Sequence, residues 1–318
     1  MQFDFLLKAL KTSRLSAIAQ AAILAVGAFT ALEINHRAEA LVFAGNPNNY
    51  IVKPGTGYDG VVSLDVNRNG ISDCMGSLLP TGLHILTAAH CFTDFGANLD
   101  NVLPVSFELP TGTVSINVAK IFIHPEWGGL FDIESFGADI TILELASIAP
   151  EAAQRYDIYR DTDEIGQVGV KVGYGDTGQG NLGSTISSQN KRSGQNIYDA
   201  PGEILSNGKP ENDAFGVLGI PDLGLGLQEA ISAPGDDGGP TFINGLIAGV
   251  TSISTCLGFN FVNFGCSSPP DVDNVGNSSF GEIGIDTRVS TYASYVDDVL
   301  AGKVTPTKQI PEPNTIFG

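Results

Sequence analysis

From Val61 onward the chain alternates short β-branched and apolar runs with turn residues. Val61-Val62-Ser63-Leu64 predicts a strand, Asn69-Gly70 a tight hairpin turn, and Ile71 to Leu79 the returning strand. His84 to Thr87 predicts another strand, followed by the small residues Ala88 and Ala89 and then His90-Cys91. Further strands are predicted at Val114 to Ile123, Ile140 to Leu145 and Val168 to Val172. Phe242-Ile243, Asn244-Gly245 and Leu246 to Val250 repeat the hairpin pattern. Gly173 to Gly235 is rich in Gly, Ser and Asn with few apolar runs, so it contains large surface loops, and its strands are not resolved by the pattern. One helix is legible, because Val289, Tyr292, Ala293, Val296, Val299 and Leu300 form a single apolar stripe and Gly302 is placed to stop it. The segment 304–318 is polar and proline-containing and reads as a disordered tail. Many short strands closed by one helix indicate an all-β barrel or sandwich.

Composition narrows the class. Only 16% of the 318 residues are charged and 39 are glycine, which suits a turn-rich β protein. The net charge of -19 excludes a nucleic-acid partner, whose phosphates would be repelled, and argues against an anionic bilayer surface. Lys8, Lys11 and Arg14 precede an uncharged stretch from Leu15 to Leu32, and Ala38-Glu39-Ala40 offers a small-x-small cleavage site. Residues 1–40 therefore read as a secretory signal, with the mature chain beginning near Leu41. The rival reading is an uncleaved membrane anchor, which would leave the triplet without a purpose. After signal removal no membrane association is expected, and the protein belongs outside the cytoplasm, in the envelope or beyond it. Four cysteines suit an oxidising compartment and allow three pairings on counting alone. Proximity in sequence favours Cys74 with Cys91 and Cys256 with Cys266.

Three segments carry candidate chemistry. His90 follows a buried-looking strand. Asp139 opens the apolar strand at Ile140, where it can accept a hydrogen bond from an imidazole. Gly235-Asp236-Asp237-Gly238-Gly239-Pro240 is a glycine-rich turn before a strand, able to aim backbone N–H groups at one point. Leu86-Thr87-Ala88-Ala89-His90-Cys91 resembles the histidine motif of chymotrypsin- and trypsin-like serine peptidases. Asp139-Ile140 resembles their aspartate motif, and Gly235 to Pro240 their serine motif. The order matches, with separations of 49 and 98 residues. Cys74 to Leu79 resembles the family strand whose cysteine bridges to the one after the histidine. Ile123-His124-Pro125 resembles a common family turn, Gly173-Tyr174-Gly175 the start of the second barrel, and Thr287 to Leu300 the closing helix.

The resemblance covers about Val61 to Gly302. It implies two antiparallel β-barrels with a C-terminal helix, a peptidase domain over 41–303, barrels at about 51–150 and 165–288, and a closing helix at 289–302. It also implies a peptide or protein ligand, no cofactor, and a monomer. The oxyanion hole would be formed by the N–H groups of Gly235 and Asp237. The family's usual cysteine a few residues before the nucleophile is missing, with Ala233 near that position, which leaves Cys256 to bridge Cys266.

The departure falls at the reacting atom, where this chain has Asp237 and the family has serine. A serine hydroxyl attacks the scissile carbonyl while histidine takes its proton. A carboxylate has no such proton, would pair with His90 and hold it protonated, and can fold onto the N–H groups meant for a substrate oxygen. An impaired homologue that still binds peptides is the first reading. The alternative is an active serine-type endopeptidase preferring apolar side chains, because Ile231 lies in the region that resembles the base of the primary pocket. Ser252, Ile253 and Ser254 resemble the strand that pairs with a bound peptide. In active relatives the residue matching Asp236 pairs with a newly freed N-terminus, and Ile51-Val52 resembles one. An ordinary strand start there is the favoured reading, since no basic cleavage site precedes it. Asp65, Asn67, Asn69 and Asp73 carry oxygen ligands at alternating positions like a calcium loop, but Gly76 stands where its closing carboxylate would be. Pro311-Glu312-Pro313 resembles the Pro-Glu-Pro signature of bacterial envelope-sorting tails.

Overall fold

The computed structural model describes residues 41–66, 73–94, 103–130, 137–186, 190–201, 214–218, 225–256, 265–266 and 271–310. The expected signal over 1–40, Asn67 and Asn69 of the candidate calcium loop, and Pro311 to Pro313 lie outside them. The first strand, β1 (Val42–Phe43), crosses into the second half of the molecule and is placed there.

Six strands make the first barrel: β2 (Val61–Leu64), β3 (Cys74–Leu78), β4 (His84–Thr87), β5 (Pro104–Leu109), β6 (Gly112–Ile123) and β7 (Thr141–Leu145). All pair antiparallel, and the ladder β2-β3-β4-β7-β6-β5 returns to β2 and closes the sheet on itself, except that β6 beyond Asn117 pairs with β7 and no longer with β5. Along β5 the period of two is visible: Val105, Phe107 and Leu109 are buried, while Pro104, Ser106 and Glu108 are half-buried. Between β4 and β5 a single helical turn, α1 (His90–Thr93), follows the buried pair Ala88 and Ala89.

The second half carries β8 (Val168–Gly173), β9 (Thr177–Gln179), β10 (Gly183–Ile186), β11 (Arg192–Ile197), β12 (Ala200–Pro201), β13 (Ala214–Leu218), β14 (Ala230–Ile231), β15 (Pro240–Ile243), β16 (Leu246–Thr255) and β17 (Ile283–Arg288). One sheet runs in the order β11-β8-β15-β16-β17-β13-β12, and β11 lies against β13 so that its strands curl round. A smaller sheet has the order β10-β9-β1-β14. The β15–β16 hairpin turns on Asn244 and Gly245 with φ of 51° and 81°, the left-handed pair that a two-residue turn requires. The segment 173–235, whose strands the sequence pattern does not resolve, contributes β9 to β14.

After β17 a 3-10 turn (Val289–Tyr292) leads into α2 (Ala293–Leu300), so the α-helix is shorter than the 289–302 expected. Val289, Tyr292, Val296 and Val299 of the predicted stripe are buried, and Gly302, with φ 71°, ends the helix. The tail expected to be disordered from 304 is docked through residue 310. Its strand β18 (Lys308–Gln309) pairs with β6, Thr307 Oγ1 accepts from the Ile123 N–H at 3.0 Å, and Ile310 is buried. The exposed edge of β6 offers the backbone partners, and burial of Ile310 supplies an apolar contact. Among the described residues no helix is long and apolar enough to cross a membrane.

Candidate active site

The site lies where α1, the start of β7 and the turn before β15 converge. Asp139 has no exposed surface, and its Oδ2 accepts from His90 Nδ1 at 2.7 Å while Oδ1 accepts from the His90 backbone N–H at 2.8 Å. Ser252 Oγ donates to the same Oδ2 at 2.5 Å, and Thr287 Oγ1 donates to the Asp139 carbonyl at 3.0 Å. A register shift between Thr251 and Ile253 leaves Ser252 outside the β16–β17 ladder, which is how a strand residue comes to face Asp139. The carboxylate thus fixes both the backbone and the ring of His90.

The turn Gly235–Gly239 presents Asp237 to the other ring nitrogen, with Oδ1 at 3.6 Å from His90 Nε2. Gly238 has φ 79°, and a Cβ there would stand 2.3 Å from Thr87 Oγ1 and 2.4 Å from the Met75 carbonyl oxygen, so only glycine fits. The Asp237 carbonyl accepts from the Met75 N–H at 2.7 Å, pinning the turn to the first barrel. Asp237 Oδ2 lies 3.4 Å from the Gly235 nitrogen and accepts its N–H, the donor assigned above to the oxyanion hole. Burial pulls the His90 pKa down, but Asp139 and then Asp237 outweigh it and hold the imidazolium up to about 10. Burial works against the Asp139 anion, yet His90 and the Ser252 hydroxyl keep its carboxyl below the ordinary value.

Asp236 points the opposite way. Its Oδ2 accepts from the Leu41 and Ala233 N–H groups, both at 2.9 Å, and its Oδ1 from the Gly175 N–H at 2.9 Å. The residue facing Asp236 is therefore Leu41. Ile51, whose segment resembles a freed terminus, is 37% exposed and forms an isolated bridge with Arg192. The local signal for Leu41 is the small-x-small triplet that ends at Ala40, whereas its contact with Asp236 joins distant parts of the sequence.

Both disulfides form as expected, Cys74–Cys91 and Cys256–Cys266. Ile231 pairs with Val42 and packs with Val42 and Ala233. Ile253 and Ser254 are half-buried and pair with Ile285 and Gly284 of β17, whereas β15 pairs with β16 only as far as Val250. Asp65 and Asp73 flank the undescribed residues of the β2–β3 connection, and the Asp73 N–H donates to the Leu64 carbonyl at 3.0 Å.

The trypsin family model matches residues 53–273, and the chain belongs to that family. Among curated relatives it is 26% identical over 201 residues to an uncharacterized peptidase of Corynebacterium glutamicum, covering 62% of this chain and 58% of that protein. It is 28% identical over 201 residues to trypsin, alkaline B, of Manduca sexta, covering 61% of this chain and 75% of that one. The chain thus spans less than two thirds of the Corynebacterium relative. In fold it is similar to mouse neuropsin, a serine protease, with a TM-score of 0.58 at 17% identity over 79% of this chain and 98% of that structure.

Proposed function

We propose that this protein is an exported member of the trypsin family that binds peptides at its inherited groove and does not cleave them at peptidase rates. The observation that carries the reading is the position of Asp237, with one oxygen on His90 and the other on the Gly235 N–H. A general base must be unprotonated, and a substrate oxyanion needs free donors. The carboxylate opposes both. Peptide binding is supported by β16, whose residues 253–255 pair with β17 alone among the described strands and leave the other edge to an added strand. Export is supported by the charged start, apolar run and cleavage triplet before Leu41, and by two disulfides. Removal of the leader there would place the new α-amino group on Asp236.

The test is a peptidase assay on the chain beginning at Leu41 beside Asp237→Ser and Asp237→Ala. Asp237→Ser restores a hydroxyl, frees His90 and opens the hole, so it gains at least about 10²-fold in kcat/KM, while Asp237→Ala stays inactive. A serine-directed covalent inhibitor labels the serine variant only. Turnover or labelling of the unaltered chain at ordinary peptidase rates overturns the reading.

A further inference from the structure

Between β16 and β17 the chain runs Asp271-Val-Asp273-Asn-Val-Gly276-Asn277-Ser-Ser279-Phe-Gly-Glu282. Oxygen-bearing side chains stand at the first, third, seventh and ninth positions, a glycine at the sixth and a glutamate at the twelfth. That is the ligand rhythm of a twelve-residue calcium loop, with Val275 as the departure at the fifth position. The structure brings these side chains together. Ser279 Oγ lies 3.4 Å from each of Asp271 Oδ1, Asp273 Oδ1 and Glu282 Oε1, although a hydroxyl has one proton to donate. Asp271, Ser279 and Glu282 are each no more than 2% exposed. None of the three carboxylates forms an ion pair with a described Lys, Arg or His.

A second observation is independent of the clustering. Asp271 Oδ1 accepts from the Asp273 and Asn274 N–H groups at 2.8 and 3.1 Å, but Asp271 Oδ2 is buried without any hydrogen-bond partner. A buried, unpartnered carboxylate oxygen beside two more carboxylates is costly unless a cation joins them.

We infer that Asp271, Asp273, Ser279 and Glu282, with Asn277 beside them, form a calcium site at the end of the second barrel. The choice of ion follows from the donor set: carboxylates, a hydroxyl and an amide, with a glutamate at the twelfth position, suit the flexible oxygen shell of calcium, whereas magnesium demands near-octahedral geometry and keeps several waters. The loop sits against the base of β16, because Asp271 lies within 4.8 Å of the sulfurs joining Cys256 to Cys266. Calcium would thus brace the strand end that carries Ser252 to Ser254. The inference does not depend on the state of Asp237.

The experiment is thermal unfolding of the chain beginning at Leu41, first in chelator and then in calcium up to 10 mM, with magnesium and sodium chloride at matched ionic strength. Saturating calcium raises Tm by about 5–10 °C, with a half-response between about 10⁻⁴ and 10⁻³ M. Magnesium and sodium do much less. Asp271→Asn and Glu282→Gln retain acceptors for the loop N–H groups and remove charge. Each weakens the calcium response at least about tenfold yet melts no lower than the parent in chelator. A parent Tm indifferent to calcium, an equal response to magnesium or sodium, or variants that respond like the parent would each overturn the site.

Discussion

At residue 237 the difference between a hydroxyl and a carboxylate is one of charge as well as reactivity. His90 sits between Asp139 at 2.7 Å and Asp237 at 3.6 Å, and burial, which would lower its pKa, is outweighed so that the value stands near 10. The folded value lies above the unfolded one of 6.5. Stability from this group is therefore fully present below about 6.5 and is lost as pH rises through about 10. Two carboxylates raise it and Asp237→Ser removes one, so the variant's imidazole titrates at lower pH and its high-pH loss of stability begins earlier. Imidazole proton resonances followed with pH, beside urea midpoints from pH 6 to 10, measure both. A His90 that titrates near 6.5 in the parent would remove the electrostatic half of the argument at this site.

Among the elements, the second barrel is organised round a charged group that no sequence pattern announces. Lys171 on β8 is 1% exposed and donates to Asp286 of β17 at 2.8 and 3.0 Å, while Thr241 of β15 and Tyr198 donate to Asp286 Oδ2 at 2.6 and 2.7 Å. Removing one member leaves a buried charge unpaired, so Lys171→Met should cost about 3–5 kcal/mol in urea unfolding. A loss under about 1 kcal/mol would mean that the strands hold without the pair. The same chemistry explains what could be read from the sequence. β2, β4, β7 and β8 fall within one residue of their predicted ranges at each end, and the Asn244-Gly245 hairpin turns as predicted, because apolar runs and a two-residue turn are local signals. In β11 the inward positions are Arg192, Gly194 and Asn196. Arg192 bonds the Pro47 and Asn190 carbonyls, Asn196 bonds the Ala230 carbonyl, and a Cβ on Gly194 would stand 2.4 Å from Ala230 Cβ. A strand whose core face is polar or bare has no hydrophobic period to detect, and so the strands of this stretch are not resolved in the sequence. The site divides in the same way. His90, Asp139 and Asp237 sit in local motifs, whereas the Ser252–Asp139 and Leu41–Asp236 contacts join residues 113 and 195 apart.

On the scale of the whole molecule the two ends of the described chain each cross to the opposite half. β18 returns to pair with β6, and β1 inserts between β9 and β14 of the small sheet, which brings Leu41 to Asp236 beside the turn that carries Asp237. Leu41 is 1% exposed and has φ 33°, a left-handed value that a branched residue adopts only under strain. That angle is defined by the carbonyl of residue 40. In a chain beginning at Leu41 the constraint disappears, and an α-ammonium replaces the amide 2.9 Å from Asp236 Oδ2. With the amide in place, burial lifts the Asp236 carboxyl to about 7, Asp237 adding to the rise against three N–H donors. A folded value above the unfolded 3.8 means that the unfolded chain releases this proton first. The extended chain should therefore lose stability as pH rises from about 4 through 7. The ammonium pairs with the carboxylate, brings the folded value down and removes that loss. The comparison is between a chain starting at Leu41 and one starting at Ala38, their urea midpoints measured from pH 4 to 8. The two should draw apart as pH rises, with the shorter chain the more stable at pH 8. Coincident curves would show that Leu41 is only a buried strand residue and that Asp236 has no use for a free terminus.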